Sequence, residues 1–244
     1  MIRYKLTIQY DGTNYCGWQT QKNGVSVQET LVKALGEISS GEVKLVGSGR
    51  TDSGVHAKGQ IAHVDMTTPV PSNKIPLAVN PYLPDDVKII CAEEVDDSFH
   101  ARYSAKKKTY VYRTYVSPVV LPLMDRYALR IDSMPDLDKM KEGAKEIVGE
   151  HDFKCFLASG SSVENTVRTV YSLTVTKTGN EIEFKVCGNG FLYNMVRIIV
   201  GTLLDIGYNK RSVEDLTLAL KTGERTLCGK TVGARGLCLD SVEY

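Results

Sequence analysis

The sequence predicts an α+β protein of two related halves sharing one mainly antiparallel sheet with flanking helices. Three observations carry that reading. Arg3 to Tyr10 alternates strictly, with Tyr4, Leu6, Ile8 and Tyr10 on one side and Arg3, Lys5, Thr7 and Gln9 on the other, the period of a half-buried strand. Ser26-x-x-Glu29 is a capping box, followed at helical spacing by Val27, Leu31, Ala34, Leu35 and Ile38, with Gly41 beyond the end. The order of elements then starts again after a change of composition near Asp97 to Lys107, which divides the chain into residues 1–100 and 101–244.

Within the first half, Val43 to Val46 and Ile61 to Met66 are strand-like runs flanking a Gly-rich loop around Asp52. A short helix near Lys74 to Val79 and an apolar run from Val87 to Ala92 complete a β-α-β-β-α-β order, the split βαβ plan. In the second half Thr109 to Tyr115 alternates. Leu137, Met140, Ala144 and Ile147 share one face of a helix over Asp136 to Val148, ended by Gly149. Val170 to Val175 and Ile182 to Val186 follow as strands. Phe191 to Ile206 is apolar nearly all round and predicts a deeply packed helix, with Arg197 the one charge between Phe191 and Leu204. Ser212 caps a last helix, Val213 to Lys221, and Leu237 to Val242 suits a closing strand.

The chain of 244 residues, 42% of them hydrophobic, has enough apolar material for a substantial core. Met1 to Tyr10 carries no leader-like apolar core, and no apolar run is long enough to span a bilayer, so the cytosol (a cytoplasmic location) is expected and no membrane partner. Cys16, Cys91, Cys155, Cys187, Cys228 and Cys238 are scattered without metal-ligand spacing, which suggests reduced thiols and no metal. No phosphate-binding or dinucleotide glycine motif appears, so no cofactor is expected. A net charge of +1 gives no whole-molecule attraction to nucleic acid. Charge is nevertheless segregated: Asp85, Asp86, Glu93, Glu94, Asp96 and Asp97 crowd one stretch, and Arg102, Lys106, Lys107 and Lys108 follow.

A carboxylate nucleophile must be held in a fixed pose with a cation nearby to keep it ionised. Asp52 meets the local half of that demand: Gly49 and Gly54 permit tight turns, Arg50 stands two positions away, and Thr51 and Ser53 offer hydrogen bonds to lock the loop. The residues alone fit a plain structural turn as well. Likewise Tyr110 reads equally as a core tyrosine, Arg197 as a snorkelling side chain, Arg50 as a surface arginine and Leu237 as a buried strand residue. His56 beside Asp52 and Ser53 is read as structural, as is His100, because a catalytic triad is a spatial arrangement that sequence neighbours seldom supply.

The string Gly49-Arg50-Thr51-Asp52-Ser53-Gly54-Val55-His56-Ala57 resembles the signature of the tRNA pseudouridine synthase A (TruA) family. Further blocks resemble it in the expected order: Tyr10-Asp11-Gly12-Thr13 with Gly17-Trp18-Gln19, Phe99-His100-Ala101-Arg102, Tyr110-Val111-Tyr112, Gly190-Phe191 through Met195-Val196-Arg197, and Ala234-Arg235-Gly236-Leu237. The likeness runs from end to end, and an ordered series is harder to produce by chance than one motif. It departs at Ser53, where alanine is common, and at Thr231-Val232-Gly233, where Thr-Ala-Pro is more usual.

The resemblance implies the pseudouridine synthase fold, two ferredoxin- or RRM-like halves about a central cleft. It implies Asp52 as the catalytic aspartate, Tyr110 as the ring stacking on the target base, and Arg197 as the cation pairing with Asp52. Arg50 would help extrude the nucleotide or contact phosphate, and Leu237 would line the uracil pocket. The implied partner is tRNA at its anticodon stem-loop, at nucleotides 38, 39 and 40, bound across a homodimer. Two other function classes stay open on the residues: a non-catalytic RNA-binding protein with tandem RRM-like halves, which lacks an RNP-type aromatic string, and a glycosidase-like hydrolase, which lacks an evident second acid near Asp52.

Overall fold

Alternation along β1 (Ile2–Tyr10) buries Tyr4, Leu6, Ile8 and Tyr10, the face expected of a strand with one side on a core. Covering such a side chain contributes roughly 1.5–3 kcal/mol for each large apolar residue, which makes this register hard to slip. The computed structural model describes residues 1–22, 24–160 and 163–244. The chain divides into two compact units, Met1–Lys106 with Cys238–Tyr244, and Lys107–Leu237.

In the first unit, α1 (Val27–Gly36) opens with the Ser26 hydroxyl accepting the Glu29 N–H and buries Val27, Leu31, Ala34 and Leu35. It ends at Gly36, short of the expected Gly41, as the chain turns before β2 (Lys44–Gly47). β3 (His56–Met66) is longer than Ile61 to Met66 because its first residues, His56 to Gln60, pair although they are partly polar. α2 (Ile75–Val79) and β4 (Val87–Glu94) complete the predicted β-α-β-β-α-β order. β1 lies between β3 and β4, antiparallel to both, and β2 pairs antiparallel with the far end of β3 through Leu45↔Val64.

In the second unit, β5 (Lys107–Val116) is followed by α3 (Pro122–Asp125), β6 (Leu129–Ile131), α4 (Leu137–Ile147) and β7 (Gly149–Asp152). β8 (Val167–Thr178) and β9 (Glu181–Gly188) form a long hairpin. These strands run in the order β5, β9, β8, β7, all antiparallel, with β6 parallel to β5. Helices α5 (Met195–Gly207) and α6 (Val213–Thr222) follow, the latter with a complete capping box between Ser212 and Asp215. α5 is the deeply packed helix the sequence implied. It begins at Met195, not Phe191, because Asn194 adopts a left-handed conformation, φ 61°, that a helix cannot propagate through. The face of α4 settles closely on α5: a Cβ at Gly143 would stand 3.1 Å from Leu203 and Ile206, and one at Gly207 2.9 Å from Met140.

The chain finally returns to the first unit. β10 (Leu237–Glu243) lies parallel to the start of β3, through Cys238↔His56 and Leu239↔Ala57. The architecture is therefore mixed α+β and mostly antiparallel, as predicted. Among the described residues, no helix is long and apolar enough to cross a membrane.

Candidate active site

Asp52 is half-buried on the loop between β2 and β3, and the segment after β1 clamps that loop from several directions. The Tyr10 hydroxyl shares a 2.7 Å hydrogen bond with Thr51 Oγ1, both groups buried, and burial pushes the phenol's pKa up so that it stays protonated. Trp18 N–H donates to the Thr51 carbonyl at 3.0 Å, and Ser53 Oγ donates to the Tyr15 carbonyl at 3.1 Å. From β3, the fully buried Gln60 accepts from Ser48 Oγ at 2.6 Å and donates to the Gly49 carbonyl at 3.1 Å. The loop turns on itself through Val55 N–H to the Asp52 carbonyl, 3.1 Å, with Gly54 at φ 76°.

Glycines at two contacts let backbones meet where any side chain would intrude. A Cβ at Gly12 would stand 2.0 Å from the Val55 carbonyl oxygen, and one at Gly17, φ 108°, 2.6 Å from that of Thr51. The Gly12 N–H donates to His56 Nδ1 at 3.1 Å, and Asp11 Oδ1 lies 3.0 Å from the same nitrogen. That nitrogen accepts from Gly12 only when it bears no proton and donates to Asp11 only when it bears one. His56 thus acts as a brace, and His100 accepts from the Arg102 and Tyr103 N–H groups in its own turn. Arg50 is exposed, its Nε donating to Gln19 Oε1 at 3.2 Å.

In the second unit, Tyr110 is half-buried on β5, and its ring meets Phe191 edge-on with centroids 5.3 Å apart. Arg197 is half-buried in the first turn of α5, a position where the helix macrodipole disfavours a cation by about 0.3–1 kcal/mol. Hydrogen bonds fix it there: Nη1 donates to Asn194 Oδ1 at 2.5 Å and Nε to the Val232 carbonyl at 2.8 Å. The segment supplying that carbonyl is itself stapled to α5. Gly229 N–H donates to Thr202 Oγ1 at 2.8 Å, and a Cβ at Gly201 would fall 1.9 Å from the Lys230 carbonyl oxygen.

Gly233, where the family pattern has proline, sits at φ −56° and ψ 150°, a conformation proline adopts, and its carbonyl accepts the Tyr112 hydroxyl at 2.7 Å. A proline at this position would fit the φ and ψ that Gly233 adopts. Gly236 is needed for contact, since a Cβ there would lie 2.7 Å from the Tyr112 ring and from the Arg113 carbonyl oxygen. Leu237 is buried at the start of β10. Among the described residues, no group of three or more His, Cys, Asp or Glu side chains gathers closely enough to hold a metal ion.

Asp52 and Arg50 thus share the first unit's loop, while Tyr110 and Arg197 stand on elements of the second, and Leu237 is the last residue of the second, at the start of β10. Gln60 and the Gly201–Gly229 contact escaped sequence reading. A polar residue in a strand and glycines near an apolar helix announce no partner. A family model described as tRNA pseudouridine synthase matches residues 6–104 and 144–244. The chain belongs to that family. A protein named tRNA pseudouridine synthase A from Thermoanaerobacter sp. (strain X514) is 46% identical over 244 residues, covering 100% of both chains. Its namesakes in Clostridium acetobutylicum and Limosilactobacillus reuteri are each 44% identical over 100% of this chain, covering 100% and 97% of those proteins. The segments matched to the pseudouridine synthase family model contain Arg50, Asp52, Arg197 and Leu237, whereas Tyr110 falls between them.

Proposed function

We propose that this pseudouridine synthase isomerises uridine in tRNA, with Asp52 as nucleophile, and that its targets lie in the anticodon stem-loop. The observation that carries the reading is the unbroken likeness to tRNA pseudouridine synthases A over the whole chain. In the reaction the bond from ribose C1′ to N1 breaks, the base turns, and C1′ bonds to C5. C5 loses a proton and N1 gains one, so no redox partner or energy donor is consumed. Asp52 attacks either C1′ or C6 to hold one fragment while the other turns. Arg197 keeps that carboxylate ionised, Tyr110 stacks on the uracil, Leu237 lines its pocket, and Arg50 extrudes the nucleotide or binds phosphate.

The proposed division of labour gives the nucleophile to residues 1–100 and the base-binding groups to residues 101–244. Two copies of the chain work as a homodimer in the cytoplasm, bound to tRNA mainly through shape and phosphate contacts. Incubation of purified protein with unmodified tRNA transcripts, followed by nucleotide-resolution mapping, should yield pseudouridine in the anticodon arm. Absence of product there overturns the proposed target, and release of free uracil would point to a hydrolase. Light scattering on an eluting peak at twice the chain mass supports the dimer.

A further inference from the structure

Most arginines of the second unit with described partners have a carboxylate: Arg113 pairs with Glu183, Arg130 with Asp132, Arg211 with Asp205 and Arg235 with Asp125. Arg168, on β8 opposite His151, does not. Among the described residues, its hydrogen bonds run only from Nη1, to the Asn165 carbonyl at 3.0 Å and the Val167 carbonyl at 2.6 Å. Those acceptors fix the plane of the guanidinium and leave Nε and Nη2 as donors. Burial draws its pKa below the ordinary arginine value, with no carboxylate opposing the shift. A partly desolvated cation with open donors and no carboxylate partner is suited to take an anion from outside.

Its place in the fold says which anion. The antiparallel register of β8 and β9 continues past the end of β9: Val170 faces Gly188, and Asn189 exchanges hydrogen bonds with Thr169, 3.0 Å from N–H to carbonyl and 3.0 Å from Thr169 N–H to Oδ1. The next step sets Arg168 beside Gly190, where a Cβ would lie 3.8 Å from Arg168 Nε. Phe191 follows directly and carries the edge-on contact with Tyr110. Arg168 is therefore joined through one rigid corner to the ring assigned to the target base.

We propose that Arg168 binds a phosphodiester of the RNA substrate next to the target uridine and so positions the backbone while the base meets Tyr110. The inference rests on the proposed function and adds a substrate-positioning residue to it. Planar donors suit two phosphate oxygens at once, which a lysine reproduces only as a point charge.

The test measures dissociation constants of unmodified tRNA for wild type, R168Q and R168K across a potassium chloride series, together with kcat and kcat/KM for tRNA. R168Q is expected to bind about tenfold more weakly at low salt. Its log–log salt dependence should be shallower by about 0.7–0.9, the loss of one phosphate contact. R168K should recover the slope but only part of the affinity, and in both variants kcat/KM should fall by more than kcat, as loss of a substrate contact requires. Arg168→Met, which keeps the apolar stem beside Gly190, carries the same measurement if R168Q does not fold. An unchanged affinity, or weaker binding with the full salt slope, overturns the assignment. Failure of wild type itself to bind or modify tRNA is a different result and sinks the functional reading beneath it.

Discussion

Asp52 stands on an irregular loop, whereas Arg197 stands in the first turn of a 13-residue helix, and the two are held by different means. The loop owes its shape to groups far away in sequence: Tyr10, Tyr15, Trp18 and Gln60 each close a hydrogen bond on it. Helix α5 already sets the direction of Arg197, and two acceptors, Asn194 and Val232, then settle its guanidinium. A loop carries no periodicity of its own to fix a side chain, so its neighbours must supply the constraint. The resemblance blocks around Tyr10 and Trp18 hold no proposed catalytic group. They shape the seat of Asp52.

The largest effect should come from Asp52→Ala, with turnover on tRNA falling on the order of 10⁴-fold or more while tRNA affinity changes little. A single-turnover assay beside a binding titration reads both, and a variant that still turns over removes Asp52 from the chemistry. Gly12→Ala and Gly201→Ala come next, because each forces a methyl against a backbone carbonyl, at 2.0 Å and 1.9 Å. Each should lower stability by about 1–3 kcal/mol or more in denaturant titration. Gly12→Ala should also cost about a hundredfold in kcat by displacing the loop of the proposed nucleophile. Equal kcat in Gly12→Ala and wild type would mean the clamp does not position Asp52.

Smaller still is Tyr10→Phe, which strands the buried Thr51 hydroxyl and should cost about 1–2 kcal/mol. A double-mutant cycle with Thr51→Val should recover most of that loss, and additive costs would argue against a direct bond. Smallest is Gly233→Pro, predicted to stabilise by about 0.4–1 kcal/mol, because the native φ of −56° already suits proline. A fall in melting temperature would show that this backbone path tolerates no ring.

Strand β1, α1 and the hairpin of β8 and β9 were legible because one face of each is buried and the period survives in the residues. Short β7, Gly-Glu-His-Asp, was not, since pairing with β8 makes it a strand and its composition does not. The start of α5 was misread at Phe191 because apolar character reports burial, and Leu192 is buried outside any helix. The candidate residues were visible only as members of a known pattern. Physical inspection of Gly-Arg-Thr-Asp offers no more than a tight polar turn, and the partners that constrain it, such as Gln60 to Gly49, are set by tertiary structure.

The return of the last strand bears on synthesis. Residues 238–244 complete a unit whose other members leave the ribosome first, with Glu243 accepting the Lys106 N–H at 2.8 Å and Tyr244 reaching the Ala101 carbonyl at 2.7 Å. A nascent chain can assemble β1, β3 and β4 early, but the flank of β3 that seats His56 stays open until translation has passed Leu237. Truncation there would injure the beginning of the protein as much as its end.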